Sequence, residues 1–194
     1  MIITSKGTNI SIPKMNKYLA TPFTEEKIKE LKAGDIIYLS GTVFGARDAA
    51  HKRIIEAIEQ GKKLPVDLKD ATLFYTGPAP TPPGKKSGSI GPTTSARMDN
   101  LTEPLLKCGV RAMIGKGKRS DALKELLKKY RSVYLVSLGG VSAFLSMKVE
   151  NIRVAAYADL GAEAIHEIEV KDLPLFVAYD IYGGDIFESA LRAE

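Results

Sequence analysis

"IIYLSGTVFGARDAAHKRIIEAIEQGKK" spans Ile36–Lys63, and its reading sets the architecture. Ile36–Ala46 is rich in β-branched and aromatic side chains and reads as a strand. From Arg47 the pattern changes. Ala50, Ile54, Ala57 and Ile58 fall on one helical face, so Arg47–Lys63 reads as a helix. The same strand-then-helix unit recurs toward the C-terminus. Ala71–Gly77 reads as a buried strand and Thr93–Gly109 as a helix capped by Thr93 or Thr94. A strand ending at Gly115 precedes an amphipathic helix over Ser120–Tyr130. Ser132–Gly140 reads as a strand and Val141–Met147 as a short helix. Upstream, Thr21–Asp35 reads as a helix with Thr24 at its N-cap and Gly34 after its last turn. Lys148–Gly183 holds three strand candidates, and a closing helix follows over Asp185–Ala193. Strands alternate with helices in the middle and cluster near the end. The pattern predicts an α/β protein, one layered domain over residues 1–194 with a mixed sheet.

The totals narrow the function. The chain has 194 residues, a net charge of +5 and a pI near 9.1, with 44% hydrophobic and 26% charged residues. No apolar run approaches the roughly twenty residues of a membrane span. The N-terminus lacks the charged head and apolar stretch of a secretory signal, so a cytoplasmic location is expected. No RGG tract, aromatic-basic interleaving or zinc-finger spacing points to nucleic acid. The single cysteine, Cys108, can form no internal disulfide and cannot by itself hold an iron–sulfur cluster, which needs three or four thiolates. At the end of its helix it reads as a small buried hydrophobe. With only two histidines, no metal site is expected from this chain alone.

One segment breaks the alternation. "GPAPTPPGKKSGSIGPTTSARMD" (Gly77–Asp99) holds five of the ten prolines and can be neither helix interior nor central strand. So long a loop in a compact domain is functional or disordered. Here it leaves a buried strand and enters an expected helix start, where backbone N–H groups stand unpaired. Gly88, Gly91 and Pro92 lead in, Thr93, Thr94 and Ser95 add hydroxyls, and Arg97 lies on the first turn: an anion cradle in outline. The spacing is not that of a phosphate-binding loop, G-x-x-x-x-G-K-[ST], because six residues separate Gly77 from Gly84. Arg47 and Lys116 stand at two other strand-to-helix junctions. If the strands run the same way, such junctions gather at one sheet edge. Two arginine forks and a lysine would suit a dicarboxylate; the competing reading makes them three surface charges. His51, one turn after Arg47, either orients the site or is simply half-buried. His166 reads as a surface residue.

Four stretches together resemble a known family: "SGTVFGARDAAHKR", "YTGPAPTPPGKKSGSIGPTTSARMD", "MIGKGKRS" and "ADLGAEAIHEIEVKDLP". They look like the β subunit, or C-terminal half, of the class I, iron–sulfur-dependent fumarate hydratases; the L(+)-tartrate dehydratase β subunit is similar. The likeness runs from about Leu19 to Phe187. It implies a swivelling β/β/α fold and reversible hydration of fumarate to S-malate. Carried over by motif, Arg47, Arg97 and Lys116 bind substrate, and Thr93 is the base that takes the C3 proton of malate. The choice of Thr93 over Thr94 rests on the resemblance alone. Asp48, His51, Gly91 and Thr94 are supporting positions. The resemblance further implies a [4Fe–4S] cluster on a separate α subunit, with no metal in this chain, and an α2β2 assembly. Two alternatives stay open: a β subunit of L(+)-tartrate dehydratase or a related hydro-lyase, and a non-enzymatic basic α/β module that binds an anionic ligand.

Overall fold

The computed structural model describes residues 16–137 and 142–191. Outside them lie the stretch read for a secretory signal, the end of the strand expected to reach Gly140, Val141, and the last residues of the closing helix. The described chain opens with β1 (Asn16–Ala20), which the sequence reading does not anticipate. Its side chains are alternately exposed and half-buried, so it shows no apolar face. α1 (Glu25–Lys29) is capped by Thr24, whose Oγ1 accepts from the Lys27 N–H at 3.5 Å. It is shorter than the expected helix because the Asp35 carboxylate takes the Lys32 N–H at 2.9 Å and closes a turn there.

β2 (Ile36–Gly45) and α2 (Asp48–Glu59) follow as read, then β3 (Thr72–Phe74) and α3 (Asp99–Lys107). β4 (Ala112–Gly115), α4 (Asp121–Tyr130), β5 (Val133–Val136) and α5 (Ser142–Ser146) continue the alternation. β6 (Val149–Ala156), β7 (Ile165–Tyr179) and α6 (Ile186–Leu191) complete it. Where three late strands are expected, there are two. The 15-residue β7 runs on through Asp172, a residue in the left-handed region (φ 49°) whose N–H is taken by Ser40 Oγ at 3.0 Å. That anchors an irregularity in the ladder between Leu39 and Gly41 of β2 without ending the strand.

β1 to β5 pair in parallel, and β7 runs antiparallel to β2, β5 and β6. Because β7 pairs with both β5 and β2, the mixed sheet closes into a barrel of β2, β3, β4, β5 and β7. The expected mixed sheet of an α/β protein is present, and its closure into a barrel goes beyond that expectation. Closure gives every barrel strand an inner and an outer face. Phe74, Ala112, Ile114, Val133, Leu135, Leu175 and Val177 point inward, joined by Ile28 and Ile90. Leu73, Met113, Tyr134 and Ala178 point outward into a second cluster with Ala50 and Ile54 of α2, Leu105 of α3 and Leu123 of α4. Each fully buried aliphatic or aromatic side chain contributes roughly 1.5–3 kcal/mol, so both faces stabilise the closure. The parallel order also places the ends of β2, β3 and β4, with their basic junctions, on one rim.

Candidate functional site

The long loop is a closed excursion from that rim. Its ends are pinned together: Thr76 Oγ1 donates to the Gly91 carbonyl at 2.8 Å and the Thr93 N–H to the Tyr75 carbonyl at 2.7 Å. Within it the Ala79 N–H donates to the Ser89 carbonyl at 3.0 Å, and Ile90 is buried. Gly91 lies so near α5 that a Cβ there would sit 2.3 Å from Ser142 Oγ.

The helix expected to start at Thr93 or Thr94 starts later, with a 3-10 turn at Ala96–Met98 that runs into α3. Thr93 and Thr94 stay outside the helix because this stretch pairs with the chain just beyond β4, and Ser95 takes the N-cap of the 3-10 turn. Thr94 forms a parallel bridge with Lys116; the Ser95 N–H donates to the Lys116 carbonyl at 3.2 Å, and Ser95 Oγ accepts from the Lys116 N–H at 3.1 Å. Neither threonine is a cap. In the expected cradle of free helix N–H groups, those of Ser95, Met98 and Asp99 are taken by the Lys116, Ser95 and Ala96 carbonyls. Asp99, at the start of α3, takes the Ser120 N–H at 2.9 Å and the Arg119 guanidinium. Glu163 takes the Ala49 N–H of α2 at 2.9 Å. Cationic side chains, rather than helix ends, are what this rim offers an anion.

The residues that carry them stand along one rim. Arg47 occupies the N-cap of α2, and its guanidinium rests on Gly77: a Cβ there would stand 2.9 Å from Nη1. Arg47 Nε is buried and has no hydrogen-bond partner among the described residues. The next residue, Asp48, holds Arg97 Nη2 at 2.9 Å, and that nitrogen is also 3.5 Å from Thr93 Oγ1. Thr93 is two residues from Ser95, which is tied to Lys116. Arg47, Arg97, Thr93 and Lys116 thus share one rim, linked through Asp48 and the Thr94–Lys116 bridge. Arg97, Thr94 and Lys116 are exposed and Thr93 is half-buried, so the rim opens to solvent.

The close approach at Ser95 depends on one residue. A Cβ on Gly115 would fall 1.8 Å from Ser95 Oγ and 3.1 Å from the Tyr134 hydroxyl. Gly115→Ala is expected to lower stability by about 2 kcal/mol, the scale of overpacking a tight site. A denaturant titration would show this as a shifted midpoint, and an unchanged midpoint would disprove the constraint.

Beneath the rim, both histidines are more buried than expected. His51 is fully buried under α2, its ring 5.5 Å from that of Tyr75. His166 is buried because β7 is an inner strand at that point, paired with Gly45 of β2 on one side and Val154 of β6 on the other. Arg119, not singled out in the sequence, is buried between Tyr75 and Tyr134, 5.3 and 5.1 Å from their ring centres. Cys108 caps the C-terminus of α3, at the opposite end from Arg97, and is only partly buried. Burial pushes its thiol up from the usual range. Among the described residues no group of three or more His, Cys, Asp or Glu is placed to hold a metal ion. A lone cysteine remote from the rim does not fit an iron–sulfur cluster.

A closed mixed barrel with a cationic rim is defined more narrowly by its relatives. The model of the family described as "Fumarase C-terminus" matches residues 5–190. The chain belongs to that family. It is 40% identical over 158 residues to "Fumarate hydratase class I, anaerobic" of Escherichia coli (strain K12), covering 80% of this chain and 29% of that protein. "Fumarate hydratase class I, aerobic" of Salmonella typhimurium is 37% identical over 174 residues, covering 88% of this chain and 30% of that protein. "L(+)-tartrate dehydratase subunit beta" of Escherichia coli (strain K12) is 32% identical over 177 residues, covering 89% of this chain and 87% of that protein. The chain therefore spans less than a third of the fumarate hydratases it matches and most of the dehydratase subunit.

Proposed function

We propose that this chain is the substrate-holding β subunit of a class I fumarate hydratase, which hydrates fumarate reversibly to S-malate. The observation that carries the reading is Arg47. A buried guanidinium nitrogen without a partner is costly, and a carboxylate meeting the Nε edge would satisfy it. Arg97 and Lys116 bring two further positive charges for the second carboxylate. Held at both ends, the substrate presents one face of its C2–C3 bond to Thr93.

Thr93 Oγ1 takes the C3 proton of malate in dehydration. A hydroxyl is a weak base, and the Arg97 guanidinium 3.5 Å away stabilises the alkoxide it requires. As the proton leaves, charge grows on the adjacent carboxylate, and the cations aimed there lower the barrier. Thr93 suits this role better than Thr94, because Arg97 meets the Thr93 hydroxyl. A single cysteine cannot hold a [4Fe–4S] cluster, so the cluster is assigned to a separate α subunit. The open rim suits such a partner, because a dianion facing water is weakly held. An α2β2 assembly, the swivelling β/β/α fold, a single domain over residues 1–194 and a cytoplasmic location belong to the same reading.

A second reading, L(+)-tartrate dehydratase β subunit, is favoured by the dehydratase subunit whose length the chain nearly spans. Both substrates are four-carbon hydroxy-dicarboxylates. Steady-state rates on the complex, assembled anaerobically with its α subunit, separate them. The expected result is at least tenfold faster turnover of malate than of L-tartrate, and none by this chain alone. Faster turnover of tartrate would establish the second reading. A complex that turns over neither would leave the anion-binding module.

A further inference from the structure

We infer that Glu163 is a positioning residue for Arg47, its carboxylate shared between the first turn of α2 and the arginine. The inference rests on the reading that Arg47 receives a substrate carboxylate. The first N–H groups of a helix need acceptors from outside it, and Arg47, at the N-cap, makes no side-chain capping bond. The acceptor comes instead from 114 residues downstream, where Glu163 Oε2 takes the Ala49 N–H at 2.9 Å. This fixes the carboxylate, and its other oxygen then lies 3.8 Å from Arg47 Nη2.

The turn that carries Glu163 (Ala158–Glu163) is itself fastened to α2. Asp159 accepts two hydrogen bonds from Arg53, both 2.8 Å, and the Arg53 guanidinium lies 4.9 Å from the centre of the Tyr157 ring. The Ala162 carbonyl and Arg47 Nη1 both close on Gly77, 3.0 and 2.9 Å from where its Cβ would be. Turn, arginine and loop thus meet around a residue with no side chain.

The distance decides what Glu163 does. At 3.8 Å the contact is an ion pair but not a hydrogen bond. The attraction holds the guanidinium at the rim, while its hydrogen-bonding edge stays unsaturated for an incoming carboxylate. A bidentate pair would compete with substrate, and an unpaired arginine would sample many rotamers. Arg97 is held in a related way by Asp48, so each arginine has one acid anchored at the first turn of α2.

The test is Glu163→Gln, which keeps an acceptor for Ala49 and removes the charge. In the assembled complex, KM for malate is expected to rise three- to tenfold with kcat changed less than twofold. In an Arg47→Met background the same substitution is expected to change KM by less than 1.5-fold. Crystal structures of the free chain supply a readout that needs no turnover: the guanidinium rests on Gly77 in the natural protein and leaves it in Glu163→Gln. An unmoved guanidinium, or an equal KM effect with and without Arg47, would overturn the assignment. A natural complex inactive on four-carbon acids, combined with a displaced guanidinium in the variant, would refute the hydratase reading and leave the positioning role standing.

Discussion

Thr93→Ala is expected to lower kcat about a thousandfold in the assembled complex, with KM moving less than threefold. A positioned acid or base contributes roughly 10²–10⁴ in rate, and this side chain carries no charge that would hold the substrate. Thr93→Ser keeps the hydroxyl and is expected to stay within tenfold of the natural enzyme. Arg97→Ala should damage both constants, because one guanidinium nitrogen serves the Thr93 hydroxyl and the Asp48 carboxylate together. On the proposed mechanism its loss removes a substrate charge and the alkoxide's stabiliser together with the partner of Asp48. Thr94→Val is the discriminating comparison. Thr94 takes its place through its backbone bridge to Lys116, which valine preserves, so most activity should remain. Stopped-flow or steady-state rates would settle the matter: a Thr93→Ala enzyme retaining a tenth of its turnover would remove Thr93 as the base.

The strand-helix alternation was readable because its signals are local. Thr24 caps the helix it was expected to cap, the helix expected from Ser120 starts beside it with Ser120 as its cap, and β2 to β5 are apolar runs bounded by turns. Barrel closure was not readable, because it depends on β7 pairing with two strands distant in sequence, and pairing partners leave no mark on periodicity. β1 escaped for a related reason: an edge strand half in water needs no apolar face. The late helix start had a signal in hindsight. Thr93 and Thr94 favour extended backbone as readily as a cap, and Ser95 could be spent on a neighbouring strand. The basic junctions were found because a parallel sheet brings its strand ends together whatever lies between them. Glu163 and Arg119 were not. Each acts on a residue far away in sequence, Glu163 through a turn and Arg119 from inside the packed layer, and charged residues are ordinarily read as exposed.

His51 sets the acid limit of the fold. Its Nδ1 lies 2.8 Å from the Arg47 carbonyl, which can only accept, so Nδ1 carries the proton and Nε2 is left bare and buried, without a hydrogen-bond partner among the described residues. A second proton would have to sit on Nε2. Burial opposes that charge most strongly and Arg119 adds repulsion; against them the Arg47 carbonyl and Asp48 favour it, and the balance holds the imidazole down at about 4. An unfolded chain protonates the same ring near pH 6.5. Between those values the unfolded state binds the extra proton, so stability is full above about pH 6.5 and declines as pH falls toward 4. At about 1.4 kcal/mol per pH unit the loss is about 3 kcal/mol. His166, whose imidazole burial also holds below the usual range, acts in the same direction. His51→Asn keeps a donor for the Arg47 carbonyl and cannot titrate. Urea unfolding of both proteins from pH 7 to pH 4 should show the natural chain losing about 3 kcal/mol more than the variant. Parallel losses would mean that water or a rearranged side chain already meets Nε2. The effect reaches the rim because the carbonyl that orients His51 belongs to Arg47: a charged, displaced imidazole would shift the backbone that aims the guanidinium, but the folded protein keeps the ring neutral down to about pH 4, so substrate affinity should fall only near that pH, below the range over which the fold weakens.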